Sequence, residues 1–192
     1  MTPVHRMLML AAALILAPGC LVVTVNPTYE RDDLMWDPAL VGAWDNVDDN
    51  SSVIIERGEW QSYRLHYVHP IETGDLTGYL TRIGKAVYLD VMPARGEDRG
   101  SFLVPVHATL RVTLEGDRLE ISALSYDWFS DRLKTTKAAI PGLNVVFDEK
   151  ENALITSPTS AVRAWIARQP ADGRMFGATA TFARRTKAIP RG

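Results

Sequence analysis

Between Ala39 and Leu124, apolar and polar residues alternate in short runs, with turn-forming residues about every ten positions. Period-two alternation marks strands that bury one face. It predicts strands over 39–46, 52–57, 60–68, 75–83, 85–92, 101–115 and 117–124. Arg57-Gly58-Glu59, Gly84-Lys85 and Gly116-Asp117 are the predicted tight turns, with glycine supplying positive φ. The clearest run is 101–115. Phe102, Val104, Val106, Ala108, Leu110, Val112 and Leu114 fall on one side, and Leu103, Pro105, His107, Thr109, Arg111 and Thr113 on the other. So long a strand predicts a sheet that curls or closes.

The period then changes. Tyr126, Phe129 and Leu133 form one stripe and predict a helix over about 126–138, ending before Ile140-Pro141-Gly142. Ser157 as N-cap and Pro158 at the first helical position begin a second helix. Its inward stripe is Val162, Trp165, Ile166 and Gln169, and Pro170 ends it. Short strands are expected near 143–148 and 152–156. Alternating Phe176, Ala178, Ala180 and Phe182 predict a last strand over 175–184. The fold class is therefore mainly β, a sheet that curls or closes, with two short helices near the C-terminus.

The N-terminus breaks this pattern. Residues 1–6 end in Arg6, Met7 to Leu16 is wholly apolar, and Ala17-Pro18-Gly19 precede Cys20. A positive start, a short apolar run and small residues before a cleavage point are the parts of a secretory signal. Ala-Pro-Gly-Cys resembles the lipobox of bacterial lipoproteins, although Ala17 stands where that family prefers leucine. The resemblance implies cleavage before Cys20 and lipid on its thiol, which makes Cys20 the lipid-attachment residue. Several acyl chains, at about 0.8 kcal/mol per buried methylene, hold a chain on a membrane permanently. The alternative is an uncleaved span from Met7 to Val25, which Pro18 and Gly19 would break or kink. Either way Arg6 keeps the N-terminal flank inside and the domain is exported. Leu21 follows the cysteine. In Gram-negative lipoproteins an aspartate there favours inner-membrane retention, so its absence implies the outer membrane, facing the periplasm. Leu21 to Pro38, with Pro27, Pro38 and the charged patch Glu30-Arg31-Asp32-Asp33, reads as a tether of at most ~60 Å. Its apolar start, Leu21 to Val25, can dock on the domain or lie at the headgroups. The expected division is 1–19 signal, 20–38 lipidated N-terminus and tether, and 39–192 barrel domain.

Composition adds exclusions. The chain is 46% hydrophobic and 23% charged, which suits one globular domain. Its net charge is −2, with no basic run, so there is no footprint for nucleic acid. Cys20 is the one cysteine. Once lipidated, it leaves no thiol for a disulfide, a nucleophile or a metal.

Gly42-Ala43-Trp44 in the first strand resembles the Gly-x-Trp of lipocalins and their calycin relatives. The resemblance implies an antiparallel up-and-down barrel of about eight strands, with Trp44 closing one end and an arginine near the last strand, Arg184 or Arg185, covering its ring. The order of Gly-x-Trp, six further strands, a helix and a closing strand agrees. A Thr-Asp-Tyr motif is missing, and two helices stand where that family has one. Gly78-Tyr79-Leu80-Thr81-Arg82-Ile83-Gly84, Val87-Tyr88-Leu89-Asp90-Val91, His107 and Leu124-Ser125-Tyr126-Asp127-Trp128 extend the resemblance to bacterial lipoproteins with a lipocalin-like domain. That resemblance brings no activity with it.

Candidate chemistry is sparse. His66 and His69 fall on opposite faces of a regular strand, so they do not share a metal. Asp45 to Asn50 fails as a calcium loop, because Val47 takes a ligand place and no glycine makes the turn. No Gly-x-Ser-x-Gly, Walker loop or dinucleotide fingerprint is present. His107 and Arg111 are the expected polar contacts of a ligand if the barrel interior lies on their side, and His107 with Asp90 is a conceivable acid–base pair. The resulting expectation is a monomeric, non-enzymatic lipoprotein of the cell envelope, with no metal or cofactor, that binds a small apolar ligand. A side-chain-filled barrel that docks an envelope protein is the alternative, and an enzyme on the His107 side ranks third.

Overall fold

A computed structural model describes residues 22–70, 72–94, 105–136, 140–147, 152–170 and 173–186. Eight strands make the barrel: β3 (Gly42–Asn46), β4 (Ser52–Arg57), β5 (Ser62–His69), β6 (Glu72–Ile83), β7 (Ala86–Pro93), β8 (Ala108–Glu115), β9 (Arg118–Ala123) and β12 (Ala180–Arg184). Each pairs antiparallel with the next, and β12 pairs with β3 to close the ring. Closure leaves this sheet without a free edge running its length. Two-residue loops join β6 to β7 and β8 to β9, and Gly84 and Gly116 take φ of 61° and 59° there. The β4–β5 turn differs from expectation. Its left-handed residue is Trp60, at φ 62°, not Gly58. Gly58 is needed for space instead, since a Cβ there would lie 2.4 Å from Ser62 Oγ.

Alternation along the strands separates two cores. Inward residues such as Trp44, Ile55, Leu65, Leu80, Leu89, Val112 and Leu119 fill the barrel. Outward residues of the same strands, Ile83 and Tyr88, join a second core beneath the helices α1 (Tyr126–Thr136) and α2 (Thr159–Ala167). Phe129 and Val162 are fully buried there, and Trp165 packs against both Trp128 and Phe129. Both helices therefore bury the stripes their sequence predicts. The cap of α2 is displaced by one residue. Pro158 is the N-cap, and Ser157 Oγ accepts instead from Asn144 N at 2.7 Å.

Residues 22–40 do not form a free tether; they wrap the barrel as a strap. β1 (Val22–Thr24) pairs in parallel with β11 (Ala153–Ile155), which pairs with β10 (Val145–Phe147). Thr24 also exchanges two backbone bonds with His107, at 2.8 and 2.9 Å. Further on, β2 (Leu34–Met35) pairs with β6 beyond the end of β5. The prolines and charges of this segment read as solvent-facing in one dimension. In three, Glu30 to Asp33 do stay exposed, but the backbone of Thr24, Thr28 and Asp37 bonds to the wall the segment crosses. The regular part of the expected 101–115 strand is 108–115, and residues 101–104 lie outside the described residues, as do Cys20 and the signal.

Candidate functional site

One end of the barrel is sealed. Trp44 is fully buried, and its Nε1 donates to Leu40 O at 3.0 Å. The Arg184 guanidinium lies 4.1 Å from the centre of its ring and donates to Val41 O and Ala39 O. A cation over an indole contributes about 0.5–2 kcal/mol. Gly42 makes room for it, because a Cβ there would lie 2.6 Å from Arg184 Nη1. Of the two arginines expected near Trp44, Arg184 covers the ring. Arg185 pairs with Asp45, whose carboxyl is held below its ordinary range chiefly by that hydrogen bond. Tyr63 completes the seal. It accepts from Asp37 N at 2.7 Å, its ring stacks on Trp36 at 4.5 Å, and burial raises the pKa of its hydroxyl.

Above this seal several inward residues remain partly open. Leu110, Ile121 and Phe182 sit on the neighbouring strands β8, β9 and β12 and point inward, yet each is only partly buried. Tyr67, Leu76 and Ala108, towards the end opposite Trp44, share that condition. An inward side chain can meet solvent only in the lumen or at its mouth. Here the Tyr67 hydroxyl donates to Glu72 at 3.1 Å. Two half-buried apolar residues, Val87 and Leu114, also lie near the sealed end.

The expected polar contacts lie elsewhere. His107 and Arg111 share the outer face of β8 with Thr109, because Ala108, Leu110, Val112 and Leu114 take the inner one. Alternation had separated the two sides correctly but does not say which side faces inward. Arg111 lies 4.7 Å over the Phe176 ring, in the second core and outside the lumen.

His107 does converge with Asp90. On the outer wall, Asp90 stands opposite Thr109, one diagonal step from His107. Its Oδ1 lies 2.6 Å from His107 Nδ1. Its Oδ2 accepts from Thr28 N at 2.6 Å and Thr28 Oγ1 at 2.8 Å. Asp90 and Thr28 are fully buried and His107 is 6% exposed. With the carboxylate as acceptor, Nδ1 carries a proton. Tyr29 presents its ring to His107 edge-on and lies against Tyr79 at 4.5 Å. Its pKa is pushed up to about 12, first by burial and then by Tyr79 and Asp90. From α2, Arg163 donates to Thr28 O at 2.9 Å, to Thr81 Oγ1 at 3.1 Å and to Asp33 at 2.5 Å, while Thr159 donates to Pro27 O at 2.7 Å. The cluster is thus a brace between strap, wall and α2. Sequence reading missed Thr28 and Arg163, since a polar residue in a proline-flanked stretch carries no sign of burial.

The remaining candidates are surface features. His66 pairs with Asp75 at 2.8 Å in the open. In the β3–β4 loop, Asn46 and Asp49 accept from Asp48 N and Ser51 N, so their oxygens serve the turn. Among the described residues, no group of three metal-ligating side chains occurs. Comparison with protein-family models, curated proteins and solved structures gives no match.

Proposed function

We propose that this chain is a cell-envelope lipoprotein, anchored by lipid on Cys20, whose barrel takes up a small apolar ligand through the end opposite Trp44. The observation that carries the ligand reading is the partial exposure of Leu110, Ile121 and Phe182 although they face inward. An eight-stranded barrel has room either for its own side chains or for one small ligand. Trp44 and Arg184 plug one end, and the half-buried inward residues above them favour a pocket whose mouth is at the far end. Its apolar lining selects by shape and hydrophobicity. The anchor reading rests on the apolar run before Ala17-Pro18-Gly19-Cys20, and Leu21 favours the outer membrane of a Gram-negative cell. Asp90 and His107 support a binding role over a catalytic one, because the acceptors of Asp90 serve the strap and His107 is held as part of the brace.

Fluorescent fatty-acyl probes test the pocket, read by energy transfer from the native tryptophans. The expected result is saturable binding, weakened at least tenfold by Leu110→Trp, which fills the lumen. An absence of binding across a broad apolar panel would defeat the ligand reading and leave a barrel that docks a protein. Acyl mass on an N-terminal Cys20, lost in Cys20→Ser with accumulation of precursor, tests the anchor.

A further inference from the structure

The small sheet that carries the start of the strap has an exposed apolar end. Its register lines up Val22, Ala153 and Phe147 in one row and Val23, Leu154 and Val146 in the next. Alternation turns the first row, with Val145 and Ile155, towards the second core. The Val23 row faces the opposite way. Exposure rises along it from Val23 through Leu154 to Val146, which is 50% exposed, and Phe147 beside it is 39% exposed. Edge strands that carry exposed valine and phenylalanine invite contact with another apolar surface.

The position of the sheet says which surface. Strands lie about 4.8 Å apart, so β10 is roughly 10 Å from β1. Val22 follows Cys20 by two residues, a reach of no more than ~7 Å. If Cys20 carries lipid, Val146 stands close to the same bilayer. An uncleaved apolar span would bring the membrane to the same place.

We propose that Val146, with Leu154 behind it, is a second membrane contact, seated at the boundary of headgroups and acyl chains beside the lipid anchor. One anchor leaves a domain free to swivel, whereas two contacts about 10 Å apart fix its tilt and so the direction in which the barrel mouth points. The contact is apolar and not ionic. The sequence after β10, Asp148-Glu149-Lys150-Glu151, is mainly acidic and does not draw the chain to anionic lipid. The inference rests on the anchor reading and is independent of what the lumen holds.

Full-length protein with Val146→Cys carries one free thiol once Cys20 is lipidated, and Trp60→Cys does so on the exposed β4–β5 hairpin at the Trp44 end. Each is produced in a bacterial host, spin-labelled, and reconstituted in phosphatidylcholine vesicles. Collisions with oxygen, which partitions into lipid, and with a water-soluble nickel chelate are then compared. The expected result is oxygen-dominated relaxation at 146 and nickel-dominated relaxation at 60, unchanged by high salt. Lipidated protein with position 146 as open to nickel as position 60 would overturn this inference alone. Shielding of 146 from both reagents would mean that protein covers it, and would also overturn it. Recovery of the wild type in the soluble fraction with a free Cys20 thiol would bring down the anchor reading and this inference together.

Discussion

The Asp90–His107 and Asp75–His66 pairs make nearly the same contact. Asp90 Oδ1 to His107 Nδ1 is 2.6 Å, and Asp75 Oδ1 to His66 Nδ1 is 2.8 Å. Both join diagonal or opposite positions on the outer wall of the barrel. Their surroundings differ. The side chains of Asp75 and His66 are 72% and 49% exposed, whereas those of Asp90 and His107 are 0% and 7% exposed. Water competes for every donor and acceptor of the first pair. In the second, the carboxylate has lost water and is compensated by three protein donors, two of them from Thr28. A short contact alone therefore says little about how much a pair matters. What counts is how much would be left unsatisfied if one partner were removed.

The largest effect expected from this contrast is at Asp90. Asp90→Ala strands the Thr28 donors and the His107 Nδ1–H in a buried site. It should cost about 3–5 kcal/mol, read as the shift in urea midpoint with unchanged slope. Asp90→Asn keeps the volume and supplies one oxygen, so it should cost less. Equal, small losses from Asp90→Ala and Asp75→Ala would erase the distinction between the pairs.

Trp44→Ala gives a loss of the same order by another mechanism. It empties the sealed end of the barrel and removes the ring beneath Arg184, for about 3–5 kcal/mol. Arg184→Met separates the two parts, because it keeps the aliphatic cover and removes the cation–π contact and the donors to Val41 and Ala39. It should cost about 1–3 kcal/mol.

These residues also show what one dimension carries. The strands from β4 to β9, the helical stripes of Phe129 and Trp165, and the pairing of Trp44 with an arginine near the last strand were all legible, because each rests on periodicity or a short motif. Two things were not. Which side of β8 faces the lumen depends on the other seven strands; His107 and Arg111 would meet a ligand only from the inner side, and they lie on the outer one. The strap reads as a tether because Thr28 becomes buried only where Asp90 and Arg163 surround it, and neither is near it in sequence. Local pattern records which residues share a face. Long-range closure decides what that face meets.

A smaller effect concerns pH, and it arises where the strap crosses the buried pair. Tyr29 has its pKa raised to about 12 by burial, Tyr79 and Asp90. The unfolded chain releases this proton near pH 10, and the folded chain holds it to about pH 12. Between those values the folded state binds more protons, so stability falls as pH rises. Tyr63, Tyr67 and Tyr88 act in the same direction, so the test is a difference. Tyr29→Phe should lose less stability than the wild type between pH 10 and 12, measured by urea midpoint at each pH. Identical slopes would mean that the strap exposes Tyr29 to solvent.

The smallest effect is expected at the exposed pair, and its smallness is what makes it useful. His66 and Asp75 face each other across β5 and β6 on a solvated wall. Breaking them releases two side chains to water, which replaces each lost contact, and frees rotamers that the pair had restricted. His66→Ala and Asp75→Asn should each change stability by less than about 1 kcal/mol, and the coupling in a double-mutant cycle should shrink further in 1 M salt, where the screening length is about 3 Å. The corresponding cycle at Asp90 and His107 should keep its coupling at the same salt concentration, because ions cannot enter a site closed by Thr28 and the strap. Salt-sensitive coupling at the buried pair would show that water reaches Asp90. The strap would then be a loosely docked tether.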